Sequence, residues 1–409
     1  MSIRFLHPLL AVVGVLALTA CSTHGSAGAK ARTLHSRILV LDTHLDTALH
    51  FGRAGWNFSD RHSRLGDLSQ LDIPRMKDGN LDGGFFAIFT EQGPLSPEGY
   101  AEALASARKR SDLIDRTIAA HSDMIGPART AADARRLHSE GKLIAFKSIE
   151  NSYPIGEDMS LLREFYRRGV RLAGPVHSKN NQFADSSTDT PRWKGLSPLG
   201  KQWVVEMNAL GMIIDASHSS DATFDQILEL SRYPVLLSHS SLRSAHDHPR
   251  NLDERRLRAL AAKGGAMCLS TIYLSDIKLT PARADLFGKY ERIGELSPSE
   301  QAQLTLQWNE LDKTEPLWAA NFEKYIAMVR RAIEVGGVDH ICFGADWDGG
   351  GGLKDMGDVT ALPKVTERLK DAGYSEIDIE KMWSGNVLRV LAAHRIRGVV
   401  EKDGQTQNY

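Results

Sequence analysis

Short apolar runs, each closed by a polar side chain, recur along this chain from residue 38 to residue 346. Eight of them read as strands, at 38–43, 82–89, 143–149, 170–176, 212–217, 234–238, 265–271 and 340–345. Parallel strands buried on both faces carry such continuous runs rather than an alternating pattern. Between them lie segments with helical spacing, among them PEGYAEALASARKRSDLIDRTIAAH, LSPLGKQWVVEMNALG and DATFDQILELSR. Strands alternating with helices imply βαβ units and a parallel sheet. Eight such units imply closure into a (β/α)8 TIM barrel. The stretch 273–315, between the seventh and eighth strands, is charged and lacks core periodicity. It is expected to sit beside the barrel mouth as a lid or an oligomer contact. VTERLKDAG and SEIDIEKMWSGNVLRVLAAHRI then read as closing helices, and no repeat or second domain is visible.

The residues that close these runs carry the chemistry. His44 and Asp46 end ILVLDTHLD, Glu150 ends LIAFKSIE, His218 ends MIIDASH and His239 ends YPVLLSH. His177 and Asp346 repeat the pattern after VRLAGPVH and in HICFGAD. Active sites of such barrels gather where the strands end, so ligands scattered over successive strands imply one composite metal site. His44 and Asp46 stand two apart on a strand and therefore share a face. Glu150 has two carboxylate oxygens and could bridge two cations. His218 and His239 end consecutive strands and could complete the second position. No single one of these residues is diagnostic; their coincidence at one end of the strands is. His246 and His248, in a loop without strand phase, read as solvated.

Composition changes this picture little. A net charge of −1 gives no electrostatic footprint for nucleic acid, and 409 residues suffice for one barrel with insertions. Of the three cysteines, Cys268 and Cys342 lie inside apolar runs and are expected to be core thiols. The N-terminus reads as a targeting segment. Arg4, the apolar LLAVVGVLALTA and then Leu18-Thr19-Ala20-Cys21 resemble a bacterial lipobox. The expected organisation is a signal peptide at 1–20, a lipidated Cys21, a flexible tether at 21–35 and a barrel at 36–400. That organisation would place the protein in a bacterial cell envelope, held to the membrane by lipid alone. With Ser22 after the cysteine, it would face the periplasm from the outer membrane of a Gram-negative host.

Taken together, His44-x-Asp46, Glu150, His177, His218, SHSS around His239, Arg250-Asn251 and GADWDG resemble the membrane (renal) dipeptidases of the amidohydrolase superfamily. The resemblance runs from about residue 36 to 396, in order and in spacing. It implies two zinc ions per chain, one held by His44, Asp46 and Glu150, the other by Glu150, His218 and His239. It further implies that His177 polarises the scissile carbonyl, Arg250 holds the substrate carboxylate and Asp346 shuttles the proton. Asp348 shares the strand phase of Asp346 and competes with it for that role. The expected reaction is hydrolysis of dipeptides with free ends by a metal-activated hydroxide, in a homodimer.

Other readings predict other residues. Mononuclear deaminases of the superfamily prefer His-x-His on the first strand, where this chain has Asp46. Lactonases and esterases of the superfamily bridge their metals with a carboxylated lysine. Lys147 lies near the right strand end but in opposite phase to Glu150. A β-lactam hydrolase is a further alternative. A catalytically silent lipoprotein that only binds zinc or a peptide would not need His177, Arg250 and Asp346 beside every ligand.

Overall fold

Nine strands form in the computed structural model, which describes residues 28, 30–277 and 279–394. They are β1 (Leu41–Leu45), β2 (Gly83–Ile88), β3 (Ile125–Pro127), β4 (Leu143–Ile149), β5 (Val170–Ala173), β6 (Ile213–Ile214), β7 (Leu236–Ser240), β8 (Ala266–Leu269) and β9 (Ile341–Phe343). All pairs are parallel. One arc runs β1-β2-β4-β5-β6 and a second runs β7-β8-β9. Single bridges join them, Asp215 with Leu236 and Leu45 with Trp347. The ring therefore closes in chain order, as short crossovers through helices dictate.

Every expected strand is present, most with trimmed ends. The unexpected one is β3, which pairs with Leu143–Ala145 at the foot of β4. It fills the edge that β5 leaves open by joining β4 only from Lys147 onward. Three residues hold too little pattern to be read from sequence.

Eleven helices of eight residues or more lie between known bounds: α1 (Pro97–Ala120), α2 (Ala131–Ser139), α3 (Ser160–Arg167), α4 (Pro198–Leu210), α5 (Asp221–Leu230), α6 (Glu254–Ala262), α7 (Pro281–Tyr290), α8 (Pro298–Thr314), α9 (Phe322–Gly336), α10 (Leu362–Asp371) and α11 (Asn386–Ala393). Three of them begin on Ser-Pro. Ser96, Ser197 and Ser297 accept from the N–H three residues on, and proline follows where a missing N–H costs nothing.

The barrel interior is packed, with Phe85 and Phe146 stacked across β2 and β4 at 4.6 Å between ring centroids. Cys268 and Cys342 belong to this inner cluster. The expectation of two core thiols is corrected here: they are joined as a disulfide. The β8–β9 register sets them directly opposite each other, with Cα atoms 4.0 Å apart. Residues 74 apart in sequence give no local sign of that register.

The 273–315 stretch is helical rather than patternless. It contributes α7 and α8, whose Leu286, Tyr290, Leu304 and Trp308 form a small core with Leu49 and Leu68. Arg53 Nε donates to Gln301 Oε1 at 2.6 Å and Arg64 pairs with Asp312 at 2.5 Å. The insertion is thus tied to the loop that follows β1. At the other end of the chain, the expected signal peptide and Cys21 lie outside the described residues. Of the expected tether, residues 30–35 form a helix, with Ala31, Leu34 and His35 buried.

Candidate functional site

Strand alternation alone would misplace the first two ligands. Leu41 packs inside the barrel and Leu45 outside it, whereas an unbroken strand would keep both on one face and send His44 outward. The β1–β2 register slips between Asp42 and Leu45, where three steps on β1 match two on β2. Such a bulge re-aims side chains, and it turns His44 and Asp46 into the mouth. Asp42 holds the bulge, accepting from His44 N–H at 2.9 Å and from Ala345 N–H at 3.0 Å. Burial pushes the Asp42 carboxyl up to about 7 despite those hydrogen bonds. A matching slip on β7, between Leu237 and Ser240, presents His239.

The five expected ligands converge. Glu150 Oε1 lies 3.7 Å from His44 Nε2, 3.1 Å from His218 Nε2 and 3.5 Å from His239 Nε2. His44 Nε2 is 3.2 Å from Asp46 Oδ2. Two groups that could hold a metal ion share Glu150: His44, Asp46 and Glu150, and Glu150, His218 and His239. All five side chains are buried. His44 Nε2 and Asp46 Oδ1 have no hydrogen-bond partner, a costly state for buried polar atoms unless a cation completes them. The residues present therefore fit the binding of divalent cations.

Electrostatics divides these groups. Burial would raise Glu150, but the charges of His44 and His177 and hydrogen bonding from His218 hold it well below the usual carboxylate range. Burial and then Arg250 push His218 well down, and burial and then His44 do the same for His239. Both are thus neutral imidazoles, the form that ligates metal.

Asp346 stands over the same cluster, its Oδ1 3.8 Å from His44 Nε2. Burial, and the charges of Asp46 and Glu150, push its carboxyl well above the usual range. Asp348 is excluded from the cavity. Its oxygens accept from Gln70 N–H and Thr47 Oγ, both at 2.6 Å, so it braces the loop instead. Asp346 and His218 both adopt left-handed backbone, at φ 70° and 64°; strain of this kind in non-glycine residues collects at functional sites. Gly349 permits the close approach here, since a Cβ would collide with Asp46 Oδ2 and Asp346 Oδ1.

Asp46, Glu150, His218, His239 and Asp346 line a cavity of about 670 Å³. His177 faces it with its ring packed against Phe89 at 5.0 Å, and Nε2 3.5 Å from Glu150 Oε1. Arg250 is buried in the wall, donating to Ser240 Oγ at 3.1 Å and to His239 O at 3.0 Å. Lys147 points away and pairs with Asp115 at 2.8 Å, outside the cluster around Glu150.

Sequence reasoning missed part of the lining. His248 is half-buried on the cavity wall, stacked on Tyr273 at 4.2 Å, and His246 approaches Asp276 at 3.3 Å. Neither is the solvated loop residue expected. Tyr273, Ile277, Phe287 and Glu291 come from the insertion and roof the cavity; no strand phase marks them in sequence.

The family model described as membrane dipeptidase (peptidase family M19) matches residues 28–401. Dipeptidase aclJ of Aspergillus oryzae is 30% identical over 370 residues, 87% of this chain and 78% of that protein. The crystal structure of the probable dipeptidase PvdM from Pseudomonas aeruginosa superimposes with a TM-score of 0.77 at 30% identity, covering 90% of this chain and 98% of that one. Dipeptidase AC, a metallo peptidase, gives 0.69 at 26% identity, covering 87% and 98%. The expected bacterial, lipid-anchored location is overturned by this set. Curated relatives such as aclJ, tcpJ and verJ are fungal dipeptidases, and among the described residues no helix is long and apolar enough to cross a membrane.

Proposed function

Since this chain belongs to the membrane dipeptidase family and is a metallo-dipeptidase, we propose that it hydrolyses dipeptides with both ends free, using two divalent cations. Zinc suits the donor set of imidazoles and carboxylates without thiolate. His44, Asp46 and Glu150 would hold one ion, and Glu150, His218 and His239 the other. The observation that carries this reading is Glu150 Oε1, within 3.1–3.7 Å of the Nε2 atoms of His44, His218 and His239.

Paired cations supply the charge that activates a water and stabilises the developing oxyanion. The protein's own groups do the rest. Arg250 presents its guanidinium to the substrate carboxylate, for which a planar fork is suited. His177, which also lines the cavity, donates to the scissile carbonyl oxygen and holds it in place. Asp346, set against the cluster with its carboxyl pushed up by burial, would carry a proton from the attacking water to the leaving amine. The insertion closes the cavity over these groups and limits water.

Elemental analysis should find two divalent ions per chain, and Glu150→Gln should lose both together. His44→Ala should mainly weaken one. A single tightly held ion with full dipeptidase activity is incompatible with the two-cation reading.

A further inference from the structure

A hydrogen-bonded chain reaches the back of one metal-facing histidine. Asp215, just past β6 and buried, accepts from the N–H of Ser217 and of Ser238, each at 2.9 Å. Its other oxygen lies 2.5 Å from Ser238 Oγ. That hydroxyl is in turn 2.8 Å from His239 Nδ1. A carboxylate only accepts, so the one proton of the Ser238 hydroxyl goes to Asp215. Ser238 Oγ must then accept from His239 Nδ1–H. His239 is held in that tautomer, and Nε2 turns a lone pair toward His218 Nε2 at 2.9 Å and Glu150 Oε1 at 3.5 Å.

His44 lacks such support. Its ring stacks on His239 at 3.7 Å, but Nδ1 is buried with no hydrogen-bond partner among the described residues. Among the described residues, none holds its ring from behind through Nδ1.

We propose that Asp215, acting through Ser238, is a positioning residue for the metal centre, and that it makes the Glu150–His218–His239 position the tighter of the two. This rests on the two-cation reading. A preset tautomer and a fixed ring remove ordering that a ligand would otherwise undergo on binding, and such outer partners typically change metal affinity roughly 10–100-fold.

Two substitutions separate proton placement from simple packing. Asp215→Asn keeps an oxygen for the backbone N–H groups but puts an amide donor against Ser238 Oγ. Ser238 then gives its proton to His239 Nδ1 and imposes the wrong tautomer, with Nε2–H aimed at the ions. Ser238→Ala deletes the relay and imposes neither tautomer. Asp215→Asn, although nearly isosteric, should therefore be the more damaging.

Metal retention against graded chelator, followed by elemental analysis, should show two release steps in the unsubstituted protein. Asp215→Asn should weaken the tighter step roughly 10–100-fold and leave the other, with a smaller loss for Ser238→Ala. Imidazole 15N NMR of the metal-free protein should report Nδ1–H at His239, and Nε2–H in Asp215→Asn. Thermal melting of the metal-free variants checks that they fold. Unchanged steps in both variants, equal weakening of both steps, or greater damage from Ser238→Ala would overturn the proposal. Fewer than two ions in the unsubstituted protein would instead defeat the two-cation reading, while the NMR comparison still tests the relay.

Discussion

Arg250 is a buried cation with no carboxylate within ion-pair distance among the described residues, held by one hydroxyl and one carbonyl, with Nε lacking a partner. An unpaired charge in a cavity wall is matched by an anion on the substrate, and two parallel charge-assisted bonds to a carboxylate would complete it. Losing one partner of a buried charge pair costs about 2–5 kcal/mol. Arg250→Ala should accordingly cut kcat/KM on dipeptides tens-fold or more, with metal content unchanged. C-terminally amidated dipeptides should be poor substrates, and the variant should no longer discriminate against them. Equal cleavage of free and amidated dipeptides by the unsubstituted enzyme would remove Arg250 from this role. The choice between Asp346 and Asp348 also belongs at this scale. Both share a phase in sequence, and only the hydrogen bonds from Gln70 and Thr47 show that Asp348 is already occupied.

Among the elements, the barrel strands were legible because burial on both faces leaves an unbroken apolar run. The five residues of the cluster around Glu150 were legible for the same reason, as polar residues ending those runs. The bulges were not: a one-residue slip in β1 depends on Asp42 reaching across to Ala345, some 300 positions away in sequence. The helices of the insertion were hidden differently. Their apolar residues face a small local core instead of the barrel, so a periodicity aimed at one large core does not show, although Ser297-Pro298-Ser299-Glu300 is a capping box. Tyr290 fastens this insertion, donating to Asp348 O at 3.0 Å. Tyr290→Phe deletes that bond, worth about 1 kcal/mol. The expected result is a KM raised a few-fold with kcat nearly constant, read from steady-state kinetics. A fall in kcat with KM unchanged would mean that Tyr290 serves the chemistry and not the closure.

Across the whole molecule, the first described helix is locked to the barrel by one histidine. His35 Nδ1 lies 2.7 Å from Thr366 Oγ, which also accepts from Trp383 Nε1, and His35 Nε2 lies 3.1 Å from Gly79 O. Burial lowers the His35 pKa to about 4. Between the ordinary value of about 6.5 and 4 the unfolded chain binds the proton and the folded one does not. Stability from this group is therefore full above that window and is lost as pH falls through it. At about 1.36 kcal/mol per pH unit, the loss approaches about 3 kcal/mol near pH 4. His35→Gln should abolish that part of the acid sensitivity in chemical denaturation of the metal-free protein. An identical pH slope in the variant would assign the sensitivity elsewhere.

The Cys268–Cys342 bond spans the whole roof of the cavity, since α7, α8 and α9 all lie between its two ends. A protease that nicks the exposed parts of this roof would cut the backbone without separating the halves. On a non-reducing gel the cleaved enzyme would run as one species, and only added thiol would release two. A chain opened over its own active site would thus stay a single molecule, so migration on a gel without reduction says nothing about whether the roof is still continuous.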